Sequence, residues 1–302
     1  MDMYQKRKIR AEDKKNDNQE SFSKVSISWY PGHMAKTKRE IKEKIDLVDV
    51  VIHVVDARIP KSSFIKDIDE FTKNKEKIIL MSKYDLCDTI ITNKWVKYYE
   101  EIGYKVLVKK DTIKKDLVNM IHLVMKSVND KRKKNGLLPK KAKVMIVGVS
   151  NVGKSTLINQ LVNKKATEVG NKPGVTKNIN MIKINKDIDL IDTPGILWPK
   201  FDDINVAFNL ASMTIIKEEV LPIDEVAIFI LKSLSLYYPD KLKSNFGVDD
   251  INDNELEETY STISKFKGIP FVDGEPNYDR LNNMIINEIK SERIKGITFD
   301  RI

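Results

Sequence analysis

The chain has 302 residues, enough for two domains that each bury a core, and its 41% hydrophobic and 32% charged residues are an ordinary globular balance. A lone cysteine, Cys87, excludes an intrachain disulfide and a cysteine-ligated metal cluster, and no apolar run approaches the roughly 20 residues that span a bilayer. The formal charge of +9 favours polyanionic partners, because each phosphate neutralised releases condensed counterions.

Residues 1–25 mix charges, offer little to bury and read as a flexible arm. This basic start lacks an apolar segment, and Glu12, Asp13, Asp17 and Glu20 are out of keeping with a transit peptide, so a cytoplasmic protein is expected. After the turn WYPGH (29–33), Met34, Ile41, Ile45 and Val48 recur at helical spacing and predict a helix over 34–47. VDVVIHVVDAR (48–58) is the continuous apolar run of a strand buried on both faces. A helix at 62–73, a strand at 77–81, a helix at 92–102, a strand at 105–109 and a helix at 114–130 follow. The basic stretch 131–143 reads as a connector. Beyond it come a strand at 143–148, a helix from Lys154, and two strands within 178–192 joined by a turn at Asn185–Asp187. Such alternation predicts a doubly wound α/β sheet over residues 26–202. Residues 203–302 show helical periodicity, strongest at 226–238, and predict a separate, mostly α-helical domain.

GVSNVGKST (148–156) fits G-x-x-x-x-G-K-[ST] between a strand and a helix, the setting a phosphate-binding loop requires. Its glycines let the backbone curl, so that successive N–H groups over Asn151, Val152, Gly153, Lys154, Ser155 and Thr156 face phosphate oxygens. Lys154 is expected to reach the β- and γ-phosphates, and the Ser155 hydroxyl to bind Mg²⁺. Asp192, ending a second apolar strand, suits Mg²⁺ binding through water, with the Gly195 N–H available to the γ-phosphate. Between them, Thr176 in KPGVTKN (172–178) is the preferred threonine to bind Mg²⁺ and sense the γ-phosphate, with Thr167 the competing candidate.

These parts fit any P-loop nucleotidase, ATP-using ones included. Guanine selection needs a carboxylate that accepts from the ring N1–H and the exocyclic amine. No [NT]-K-x-D follows Gly195. The best candidate lies upstream in IILMSKYD, with Ser82, Lys83 and Asp85 directly after a strand. If the strands of a conventional GTPase are counted one to six, this chain supplies them in the order four, five, six, one, two, three. All six are present in a circularly permuted order, which is tolerated because the ends of compact domains lie at the surface, often close together. Lys110 and Asp111, after the third strand, then fall where the loop supporting the purine ring belongs.

The combination of WYPGHMAK (29–36), DARIP (56–60), SKYD (82–85), NVGKSTLIN (151–159), KPGVTK (172–177) and DTPGILWPKF (192–201) closely resembles the ribosome biogenesis GTPase A family of circularly permuted GTPases. The likeness runs from about Ser26 onward. It implies GTP hydrolysis coupled to assembly of the large ribosomal subunit, binding to its precursor, rRNA and ribosomal proteins in the GTP state, and release after hydrolysis. It also implies a monomer with no membrane partner and a helical domain that contacts rRNA. The family usually has asparagine where Ser82 stands, which predicts weaker bracing of base or loop. Ile196 follows Gly195 where many GTPases place a water-orienting glutamine, and the family pattern gives that role to His33. His53 and His122 read as structural. By the same likeness Asn151 is a candidate K⁺ ligand beside the phosphates. The rival reading is an rRNA-binding module in which the nucleotide is a structural ligand.

Overall fold

The computed structural model describes residues 39, 42, 45–109, 113–162, 180–192, 203–216 and 221–302. These fall into two compact units, residues 39–192 with Gly296–Ile302, and residues 203–295. The segment 296–302 therefore belongs with the sheet, whereas the sequence placed it in the helical domain.

The first unit is built on six strands: β1 (Val50–Asp56), β2 (Glu76–Ser82), β3 (Lys105–Val108), β4 (Ala142–Val147), β5 (Asn180–Lys183) and β6 (Ile188–Asp192). They lie in the order β3-β2-β1-β4-β6-β5, all parallel except β5, which pairs antiparallel to β6. Strand order reverses between β1 and β4, which pair directly, Val50 beside Val144 and His53 beside Val147. In an open α/β sheet the crevice for a ligand opens at such a reversal, off the carboxyl ends of the strands. That edge carries Asp56, Ser82 and the loop after Val147.

All seven residues of β1 are buried, as its unbroken apolar run requires. One side of the adjoining sheet packs Val55, Ile79 and Met81 against Trp95, Tyr99 and Tyr104. Each such fully buried side chain contributes about 1.5–3 kcal/mol of transfer free energy. Helix α1 (Lys66–Phe71) is shorter than predicted. Helix α2 (Thr89–Glu101) begins at Asp88, whose carboxylate accepts from Ile90 N and Ile91 N, and it packs beside β3.

Helix α3 (Ile113–Lys134) runs four residues into the stretch read as a connector. Lys131, Arg132, Lys133 and Lys134 form its last turn, where good helix formers with positive charge meet the negative end of the helix dipole. Composition had suggested a linker there, but propensity and dipole favour helix. Helix α4 (Lys154–Val162) starts at the end of the loop that follows β4.

The second unit contains α5 (Ile204–Ser212), α6 (Ile223–Tyr237), α7 (Pro239–Phe246), α8 (Leu256–Lys267) and α9 (Tyr278–Lys290). Its central helix is α6, the strongest apolar segment in the sequence, which packs against α5, α7 and α9 and buries Val226, Ile230, Leu231 and Leu234. Tyr260 is fully buried there and donates to Asn282 Oδ1 at 2.5 Å. No described helix is long and apolar enough to cross a membrane.

Candidate functional site

Gly148 leaves β4 so tightly that a Cβ there would lie 2.6 Å from Val54 O and 3.1 Å from Val152 Cγ1. The turn goes on through Asn151 at φ 56° and Gly153 at φ 99°, left-handed conformations that asparagine tolerates and glycine adopts freely. Lys154 then opens α4, its ammonium buried and donating to Val149 O at 3.3 Å. Ser150 Oγ is buried in the same loop with no hydrogen-bond partner among the described residues. A curled backbone, a lysine folded over it and a helix start make a donor set that fits a phosphate chain. Ser155 and Thr156 stand partly exposed in the first turn of α4.

Ser82, the last residue of β2, reaches this loop. Its hydroxyl lies 2.6 Å from Val152 O and 2.9 Å from Val55 O, and the side chain is 2% exposed. Gly153 sits against it, so that a Cβ on Gly153 would lie 3.8 Å from Ser82 Cβ. The bracing that a serine was expected to weaken is therefore made through a hydroxyl. One proton serves two carbonyls, and the shorter contact favours Val152.

Lys83 follows at φ 53°, a left-handed conformation that costs a lysine about 1–2 kcal/mol. Two contacts hold it there: Leu86 N donates to Lys83 O at 3.0 Å, and Lys83 Nζ lies 3.3 Å from Asp56 Oδ2. Asp56 is fully buried and also receives Arg58 N at 3.0 Å, Arg58 Nε at 3.0 Å and Arg58 Nη2 at 2.8 Å. Burial alone would raise its carboxyl pKa, but the Arg58 guanidinium and the Lys83 ammonium hold it well below the usual carboxylate range. Asp85 is exposed at the tip of the same loop, where a ligand can meet it. Lys109, at the end of β3, is half-buried nearby; burial pushes its ammonium pKa down, while Asp85 opposes that fall and Lys83 adds to it.

The structure thus sets Ser82 against Val152 and Gly153 of the loop that runs from Asn151 into Lys154, Ser155 and Thr156, with Lys83 and Asp85 following Ser82 in the chain. Asp192 ends β6, its backbone beside Ile146 of β4, two residues before the loop begins. His33, Lys110, Asp111, Thr176, its competitor Thr167, and Gly195 lie outside the described residues. His53 is buried in β1 and stacks on Phe64 with centroids 4.8 Å apart. Burial pushes its pKa down to about 4, so it is neutral at pH 7. His122 is exposed on α3. The sequence reading missed the Asp56–Arg58–Lys83 cluster, although the charged pair in DARIP beside an apolar strand was its signal, and it missed Lys109.

The RsgA GTPase family model matches residues 33–202, and the 50S ribosome-binding GTPase model matches 143–291, starting within β4 in the middle of the chain. A Priestia megaterium protein, ribosome biogenesis GTPase A, is 38% identical over 280 residues, covering 91% of this chain and 97% of that one. A Mycoplasma genitalium protein, probable ribosome biogenesis GTPase A, is 30% identical over 93% of this chain and 99% of that one. Among solved structures, GNP-bound YlqF from T. maritima superposes with a TM-score of 0.60 at 26% identity, over 88% of this chain and 98% of that one. A GDP-bound YlqF gives 0.61 at 25%, over 87% and 99%.

Asp56→Asn is expected to cost about 3 kcal/mol at pH 7, since it leaves buried Arg58 without its counter-charge. The folded Asp56 carboxyl titrates below its ordinary value of 3.8, so its contribution is complete above that pH and lost as pH falls below it. Urea unfolding of both proteins at pH 7 and pH 3 should show the gap narrowing at the lower pH.

Proposed function

The chain belongs to the ribosome biogenesis GTPase A family, and on that premise we propose that it hydrolyses GTP to GDP and phosphate while assisting assembly of the large ribosomal subunit. One observation carries this reading at the level of the site. The loop after β4 and the loop bearing Asp85 meet through the Ser82 hydroxyl bond to Val152 O on one edge of the sheet, which supports reading them together as phosphate cradle and base reader.

In this reading residues 26–202 with 296–302 are the circularly permuted GTPase, residues 203–295 supply a helical surface for rRNA and ribosomal proteins, and residues 1–25 form an arm. The protein acts as a cytoplasmic monomer. Lys154 and the loop N–H groups of residues 151–156 bind and orient the phosphates. Ser155, Thr176 and Asp192 would hold Mg²⁺, which neutralises phosphate charge when bound, with the Gly195 N–H available to the γ-phosphate. Asn151 would hold K⁺ beside the same oxygens. Lys110 and Asp111 would fall in the loop that supports the purine ring. Asp85 accepts from N1–H and the exocyclic amine. Ile196 cannot hydrogen-bond a water, so the imidazole of His33 would position it instead, in a site completed by the ribosomal particle. In sequence the stretch carrying Gly195 leads through residues 197–201 directly to the helical unit, so γ-phosphate loss would bias docking and favour release.

Asp85→Asn should weaken GTP binding by about 100-fold or more and raise affinity for XTP, as measured by calorimetry, because the buried polar match to guanine is inverted. His33→Ala should leave GTP affinity intact while hydrolysis stimulated by large-subunit particles falls by about 100-fold. Particles that do not stimulate even the unaltered protein would favour the structural-ligand reading. If Asn151 holds K⁺, turnover in KCl should exceed that in NaCl at equal ionic strength by about tenfold.

A further inference from the structure

Residues Gly296–Ile302 follow the last residue of the helical unit yet fold into the nucleotide-binding unit. There they form a strap across the loops at the carboxyl edge of the sheet. Gly296 N and Ile297 N both donate to Leu86 O, at 2.8 and 3.3 Å. Thr298 Oγ1 accepts from Asp88 N at 3.1 Å and lies 2.9 Å from Thr92 Oγ1. Phe299 N donates to Arg58 O at 2.8 Å. The Asp300 carboxylate accepts from Ser62 N at 2.7 Å and Ser62 Oγ at 2.6 Å, and Asp300 O accepts from Trp95 Nε1 at 3.3 Å. Thr298 is fully buried and Asp300 is 5% exposed, so these are interior bonds rather than surface contacts.

Leu86 and Asp88 stand one and three positions beyond Asp85. The near end of that loop is fixed by Ser82 to the phosphate loop and by Lys83 to Asp56. The strap fixes the far end. Arg58, which charges the near-end cluster, is gripped through its own carbonyl by the same strap. Asp85, exposed between the two anchored ends, is presented by whatever holds its neighbours. A displacement of about 1 Å takes a hydrogen bond out of its working range, so base discrimination is sensitive to both ends.

We propose that the 296–302 strap is a positioning element for base selection, with Thr298 setting the place of Asp85. This rests on the reading of Asp85 as the guanine-binding carboxylate. A role confined to stability would lower affinity for all purine nucleotides alike; positioning changes the preference between them.

The test uses the full chain and two probes, GTP and ITP, the second lacking the exocyclic 2-amino group. Thr298→Val keeps the shape and removes the hydroxyl. It should cut the GTP-over-ITP affinity ratio by about fivefold, mostly through weaker GTP binding, and Thr298→Ser should restore the ratio. An equal loss for both nucleotides, or an unchanged ratio, overturns the proposal. Should Thr298→Val fail to fold, Ser62→Ala, which deletes the hydroxyl bond to Asp300, should lower the ratio about twofold; an unchanged ratio there overturns it too. Asp85→Asn separates the two readings. If it leaves the preference for GTP intact, the base site itself is misplaced and the strap proposal falls with it. If it abolishes the preference while Thr298→Val does not move it, the strap proposal alone fails.

Discussion

The hydroxyl of Ser82 joins two loops whose bonded residues are 70 positions apart in the chain. It is 2% exposed and its partner is a backbone carbonyl of the phosphate loop, so without it a buried acceptor loses its donor, at about 1–3 kcal/mol. The other site geometry depends on this contact. It brings the residues after β2 to Gly153, whose φ of 99° is open to glycine and would strain any side chain placed there. Lys83, strained one residue later, is held by Leu86 N on its carbonyl and by the Asp56 carboxylate on its ammonium. The sheet makes the contact possible: β1 stands between β2 and β4, and its own Val55 O accepts from the same hydroxyl.

Buried charge plays the second part. Asp56 lies at the carboxyl end of β1 with an arginine and a lysine on one carboxylate, and it reaches the loop after β2 through Lys83. Burying such a cluster costs desolvation that apolar side chains would not. What it supplies is direction: Arg58 fills both oxygens in a planar fork, and the remaining lone pair points Lys83. The aromatic layer of Trp95, Tyr99 and Tyr104 lies close by without joining this polar chain, except where Tyr99 donates to Pro60 O at 3.1 Å and Trp95 to the strap.

The permuted sheet was legible because each strand announced itself by an apolar run and each binding loop by a motif at a strand end. Ordering six strands then needed only the positions of SKYD and GVSNVGKST. Asp56–Arg58–Lys83 was less legible, since a charge pair at a strand end is common and its meaning depends on what stands beside it in space. The strap was not legible at all. GITFDRI has no periodicity, and most of its bonds go to backbone groups, which carry no sequence signature. The overrun of α3 through Lys134 was misread for a related reason: four consecutive basic residues look like a solvated linker until a helix end is there to attract them. His33, Thr176 and Gly195 remain expectations founded on motif and family.

The strap also has a consequence for biosynthesis. Its bonds to Ser62 and Thr92 span 238 and 206 positions, among the most distant pairings in the molecule. Contacts of that separation close late, after local helices and neighbouring strands have formed. Translation makes residues 296–302 after every element described above, so the sheet and the 148–154 loop can assemble on a nascent chain whose Asp85 loop still lacks its second support. The loop bearing Asp85 would thus gain its second support only once residues 296–302 have been made and have docked.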